Sequence, residues 1–248
     1  MSQLAIWRDS IRRIDYEIES KPLPFGLDMR IKFPLFKAME KIWIDNFFDD
    51  GTLRLGTLWD YRNSNHASGI HDPFEGLSYL NCDNGEIVIG VMLNAKDSYI
   101  FCTSQNPEIS KFSDPLYNST YIIESIDFFV EIAHAIEDEL SSTFLANVIY
   151  DDEETLRNEV TRQLRLKVPY DIASPPAAYL KNPTLKQQQE VRAYFQLKND
   201  PNEGRYPNFL DKDNSSHRDM MTPQMKLKSL LSPKIIKVPE AIKHASRI

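Results

Sequence analysis

Cysteine is nearly absent from this 248-residue chain: only Cys82 and Cys102 occur, neither in a CxxC string nor in a Cys/His cluster at metal-ligand spacing. A disulfide framework and a zinc centre are therefore not expected, and no metal site is assigned. Long apolar runs are missing too. The stretch Ile87 to Leu93 falls far short of the ~20 residues a membrane-crossing helix needs, so no membrane contact is expected. Met1 to Ser20 mixes Arg8, Arg12 and Arg13 with Asp9, Asp15, Glu17 and Glu19 and lacks the charge pattern of a signal peptide. The expectation is a cytoplasmic protein in a reducing compartment. A Gly-rich phosphate loop, HExxH and GxSxG are absent, as are internal repeats and long low-complexity tracts.

What remains has the composition of an ordinary globular protein, with 42% hydrophobic and 26% charged residues. The net charge of −7 argues against a generally basic, nucleic-acid-coating surface. One local exception stands near the end of the sequence. Lys226, Lys228, Lys234, Lys237, Lys243 and Arg247 face only Glu240, which makes this segment a weak candidate for polyanion contact.

Periodicity gives the element pattern. Phe36, Met39, Trp43 and Phe47 recur at helical spacing until Asp49, Asp50 and Gly51 stop them. Thr52 to Leu58 alternates as a strand, with Arg54 on the face opposite Leu53 and Leu55. Glu86 to Leu93 and Tyr99 to Thr103 read as a strand pair, and Thr120 to Ile123 as a further strand. Phe129, Ile132, Ala133, Ile136, Leu140 and Phe144 form an apolar stripe that predicts one long helix. A second helix is expected from Asp151 or Asp152 to about Val168, then strands over Glu190 to Leu197 and Lys234 to Val238. Residues 1–28 are expected to form a helical arm and 200–223 a mobile loop. The fold class is thus α+β: a single domain, 1–248, with a central mixed or antiparallel sheet flanked by helices.

Three polar residues sit on or at the ends of these strands, in the order Arg54, Ser104 and Glu190. In TLRLGTLWDYR, YIFCTSQ and QQQEVRAYF they resemble the arginine, serine and terminal glutamate of the Arg-Ser-Glu class of ADP-ribosyltransferases. That resemblance implies an ADP-ribosyltransferase-like fold, NAD as substrate, and Arg54, Ser104 and Glu190 as catalytic residues. Arginine offers a fork of donors to a pyrophosphate or ribose. A carboxylate such as Glu190 stabilises the oxocarbenium character that develops as the nicotinamide–ribose bond breaks. Ser104 would position Glu190 or the ribose, and Tyr61 or Trp59 would stack on the nicotinamide ring. Gln188 stands two residues before the glutamate, where this class tunes its acceptor, which implies a protein or nucleic-acid acceptor. FCTSQ has Cys102 where a full Ser-Thr-Ser would carry serine.

A second resemblance covers more of the chain. LRLGTLWDYR, then IHDPFEG, FCTS and EVRAY, is similar to an uncharacterised bacterial domain family, some of whose members are associated with phage defence and abortive infection. Asp72, Pro73, Phe74, Glu75 and Gly76 match its loop string, which adds Asp72 and Glu75 to the candidate binding residues. The function implied is a NAD-consuming transferase or glycohydrolase, a toxin or antiviral defence effector with a partner or antitoxin. The alternative is a non-catalytic sensor or interaction domain of a defence system. An ion-pair network among Arg54, Glu75, Glu190 and Arg192 would account for the same residues without catalysis. His66 and His71 lie in the same loop, with no third metal ligand at a suitable spacing.

Overall fold

The computed structural model describes residues 3–18, 21–62, 77–83, 88–94, 97–150, 177–181, 183–199, 201 and 230–248. In chain order the elements are α1 (Gln3–Ser10), β1 (Ile11–Ile18), β2 (Lys21–Asp28), β3 (Leu35–Met39), α2 (Lys41–Asp50) and β4 (Thr52–Thr57). Then follow β5 (Leu77–Asp83), β6 (Val88–Asn94), β7 (Tyr99–Ser104), β8 (Ser119–Ile123), α3 (Asp127–Ala135), β9 (Leu140–Asn147) and β10 (Ile149–Tyr150). The last strands are β11 (Leu180–Lys181), β12 (Glu190–Leu197), β13 (Lys234–Lys237) and β14 (Ala245–Arg247).

The main sheet runs β1-β2-β9-β12-β7-β3-β8-β14, with β4 also pairing β7 and β13 pairing β4. Most neighbours are antiparallel, but β2 and β9 run parallel, so the sheet is mixed and the fold is α+β. No helix among the described residues is long and apolar enough to cross a membrane.

Alternation along the strands gives the sheet two differently used faces. Val191, Ala193 and Phe195 of β12 join Leu53 and Leu55 of β4, Phe101 of β7, Phe47 of α2 and Phe128, Phe129 and Ile132 of α3 in the larger core. The intervening Tyr194 and Ile100 face the other way, into a second cluster with Trp7, Trp59, Ile149 and Tyr179. Glu190 and Arg192 share the parity of Tyr194, and Arg54 alternates with Leu53 and Leu55. The candidate site therefore lies on the second face.

At four places the elements differ from the sequence expectation. The helical spacing starting at Phe36 begins instead with β3, which pairs with β8 from Leu35↔Ile123 to Met39↔Ser119; the helix starts only at Lys41. Backbone pairing to a neighbouring strand outweighs a spacing that suits a helix locally. The long helix expected from Asp127 to Phe144 ends at Ala135, and Leu140 and Phe144 belong to β9 between β2 and β12. β9 is paired on both sides, with β2 and with β12, and Ser141, Ser142 and Thr143 are poor helix formers. The helical arm expected over 1–28 is helical only in α1, after which Ile11↔Asp28 to Ile18↔Lys21 form a hairpin.

β6 pairs with β5 rather than with β7. The helix expected from Asp151 or Asp152 to about Val168 and, apart from Pro201, the loop expected over 200–223 lie outside the described residues. The strand expected at the end is β13, which lies along β4 and carries Ile236 into the core.

Candidate functional site

Glu190 opens β12 immediately after a 3-10 turn, Pro183–Gln188, and Gln189 between them adopts a positive φ of 42°. A non-glycine residue in that region is strained, and its neighbours hold it there. The Gln189 N–H donates to the Lys186 carbonyl at 3.1 Å, and its carbonyl accepts from the Gln105 N–H at 3.0 Å. The antiparallel register then sets Glu190 opposite Ser104 and Arg192 opposite Cys102.

The Glu190 carboxylate is only 5% exposed and is enclosed by two cations. Oε1 accepts from Arg192 Nε at 2.8 Å, and the other arm of the guanidinium approaches it to 2.7 Å. Oε2 accepts from Lys181 Nζ at 2.7 Å. Arg192 also donates to the Ala178 carbonyl, and Lys181 to Gln188 Oε1 at 3.1 Å. Burial by itself would raise the Glu190 pKa, but the charges of Arg192 and Lys181 outweigh it and hold the carboxyl well below the usual range. Glu190 is ionised at neutral pH and fully engaged.

Two cavities share part of their lining here. The smaller one, about 70 Å³, is lined by Glu190, Arg192, Lys181, Gln188, Thr103 and Ser113 among others. The larger one, about 320 Å³, is lined by Arg54, Trp43, Glu40, Asp114, Gly56 and Ile100 among others. Lys37, Tyr61, Cys102 and Tyr117 line both and form the shared wall. Arg54, paired with Asp60 at 3.9 Å, thus belongs to the compartment next to that of Glu190.

The wall owes its form to a fork in the sheet. β7 pairs with β3 at Phe36↔Ser104 and with β4 at Gly56↔Ile100. Between these points β3 and β4 diverge, and Lys37 fills the gap, its ammonium donating to the Cys102 carbonyl at 2.7 Å and lying 4.6 Å from the centre of the Phe101 ring. Tyr61 closes over β4 so tightly that a Cβ on Gly56 would stand 2.9 Å from its hydroxyl, which explains glycine at that position. Burial raises the pKa of the Tyr61 and Tyr117 hydroxyls and pushes the Cys102 thiol up to about 12, so Cys102 is a protonated thiol and not a nucleophile.

The remaining residues singled out in the sequence fall in several places. Ser104 is fully buried and lines neither cavity; its hydroxyl donates to the Gln188 carbonyl at 2.6 Å and accepts from the Asn106 N–H at 2.7 Å. Its contact is with the turn that carries Glu190, not with the cleft. Gln188 is buried between Lys181 and the Phe112 carbonyl, to which its amide donates at 3.3 Å. Trp59 is buried in the second apolar cluster and lines neither cavity. Asp72, Glu75, His66 and His71 lie outside the described residues. Among the described residues no group of His, Cys, Asp and Glu is arranged to hold a metal ion.

The sequence reading missed Lys37, Tyr117 and Lys181. The signal for Lys37 was its place in the apolar run FPLFKAM, where a cation needs a reason to be; Lys181 and Tyr117 carry no such local mark.

The weak case for polyanion contact changes once the C-terminal cations are placed. Lys234 pairs with Glu139, Lys237 with Asp50, Lys243 with Glu240 and Arg247 with Asp45, while Lys226 and Lys228 lie outside the described residues. Compared with protein-family models, curated proteins and solved structures, the chain shows no match to any.

Proposed function

We propose that the cleft binds an anionic, ring-bearing small molecule of nucleotide size, with NAD the first ligand to test. One observation carries this: the guanidinium of Arg54 and the ammonium of Lys37 line the same cavity of about 320 Å³ as the rings of Trp43, Tyr61 and Tyr117. That volume is within the range of small-molecule sites, roughly 300 to 1,000 Å³. Arginine and lysine suit phosphate oxygens, and the rings suit a base or nicotinamide. Glu40 and Asp114, also on this wall, accept hydrogens from ribose hydroxyls or an amino group.

Calorimetric titration with NAD, ADP-ribose, ADP and inorganic phosphate tests the reading. Binding is expected to weaken by about tenfold or more in Arg54→Ala, since a hydrogen bond to a charged group contributes ~1.5–3 kcal/mol. Absence of heat from all four ligands at millimolar concentration overturns it.

A second reading, NAD glycohydrolysis or ADP-ribosyl transfer to a protein or nucleic-acid acceptor, draws support from the wall shared by the Arg54 and Glu190 compartments. Glu190 would act there once one of its oxygens exchanges Lys181 for a ribose hydroxyl. In this reading the chain is a toxin or defence effector, whereas binding without chemistry makes it a sensor. The measurement is nicotinamide release from NAD, with and without cell extract, by the unaltered protein and by Glu190→Asp, which keeps the charge and withdraws its reach. Release that Glu190→Asp abolishes supports chemistry; no release from the unaltered protein leaves binding alone.

A further inference from the structure

Lys37 has surroundings unlike those of the surface lysines. Lys41, Lys111, Lys237 and Lys243 each reach a carboxylate. Lys37 reaches a neutral carbonyl and a ring face, and no carboxylate lies within ion-pair distance of it among the described residues. The ionisable groups that share its two cavities are Arg54, Lys181 and Arg192 as cations, Glu190, Glu40 and Asp114 as carboxylates, and Tyr61, Tyr117 and Cys102 as protonated acids. Glu190 already has two cations of its own.

Burial lowers the Lys37 pKa and the Arg54 charge adds to the effect, with Glu190 opposing it. A desolvated lysine short of a counter-ion releases its proton more readily, and the free amine is a nucleophile toward carbonyl carbon. Lys37 also lines both compartments and stands beside Arg54 in the lining of the larger one.

We propose that Lys37 is an amine nucleophile that captures phosphorylated aldehydes as a Schiff base, with Arg54 holding the phosphate. This rests on the larger cavity being an anionic-ligand site. The Nζ lone pair forms the bond to the aldehyde carbon, and the carbonyl oxygen takes up the amine proton to give a carbinolamine. Loss of that hydroxyl together with the remaining nitrogen-bound proton, as water, leaves the imine, and nothing is oxidised or reduced.

The test treats the intact protein at neutral pH with pyridoxal 5′-phosphate or with phosphate-free pyridoxal. Imines are fixed with cyanoborohydride and the modified peptides identified by mass spectrometry. Lys37 is expected to be labelled faster than the exposed Lys41 and Lys111, because a desolvated lysine keeps more of its amine in the free form. The phosphorylated reagent is expected to outpace pyridoxal, and Arg54→Ala to erase that advantage while Lys37 stays reactive. Modification of Lys41 and Lys111 with Lys37 untouched overturns the proposal. Fast labelling of Lys37 by both reagents alike supports the nucleophile and overturns the anionic-ligand reading beneath the phosphate preference.

Discussion

Glu190 and its two cations form a unit in which no member is replaceable alone. With both oxygens engaged and only 5% exposure, a neutral amide at this position removes the carboxylate charge that Arg192 and Lys181 share. Removing one partner of a buried pair costs about 3–5 kcal/mol. Glu190→Gln is therefore expected to lose about that much in denaturant unfolding, far more than the ~1 kcal/mol of a surface pair. Loss of activity in that variant would not identify a catalytic carboxylate, which is why Glu190→Asp is the sharper probe. A midpoint unchanged in Glu190→Gln would show that the trio does not form. Arg192 shares Glu190's strand face, and that was legible from its position two residues on; Lys181, nine residues away and beyond a turn, was not.

At the scale of elements, α2 shows how a helix end positions a neighbouring strand. Gly51, at φ 77°, caps it, its N–H donating to the Phe47 carbonyl at 2.8 Å and its own carbonyl accepting from Val238 at 2.8 Å. A Cβ there would stand 2.5 Å from the Pro239 backbone nitrogen as well as forcing a side chain into the left-handed region. Gly51→Ala is expected to cost more than about 1 kcal/mol, measured by chemical unfolding, and an unchanged stability would contradict the cap geometry. α3 acts through packing. Phe128 is fully buried against Phe47, Phe101 and Phe129, with ring centroids 5.7, 5.7 and 5.3 Å away. Phe128→Ala should destabilise by about 3–5 kcal/mol, whereas a loss under 1 kcal/mol would place α3 off the core.

For the whole molecule, pH exposes how the charges are used. Asp28, fully buried, accepts from Arg30 and Asn147 side chains, and although burial alone would raise its pKa these bonds lower it from 3.8 to about 2. Asp28 and Glu190 both titrate lower in the folded chain than in the unfolded one. Their stabilisation is full above the unfolded values, near 3.8 and 4.5, and is lost as pH falls through the folded ones. Stability should thus hold from pH 7 to about 5 and fall steeply below about 4, with Asp28→Asn showing a flatter acid limb. A decline already complete at pH 5 would contradict this arrangement. The net charge of −7 and the paired C-terminal cations also lead to an expectation of no retention on a heparin column at about 0.15 M salt.

Local pattern was enough for β4, β7, β8, β12 and β13, because two-residue alternation reports directly which side chains share a face, and it set Arg54 apart from Leu53 and Leu55. It also sufficed for the α+β class. It misplaced β3 and β9, because a run such as Phe36–Met39 or Leu140–Phe144 continues a helical spacing locally and becomes a strand only when β8, or β2 and β12, supply the backbone partners. The site depended on that long-range pairing most of all. The fork where β3 and β4 part over β7 places Lys37 between two cavities, and the turn before β12 brings Lys181 onto Glu190. Sequence spacing carries no record of either, since both contacts are made by strands and turns that meet only in the folded sheet.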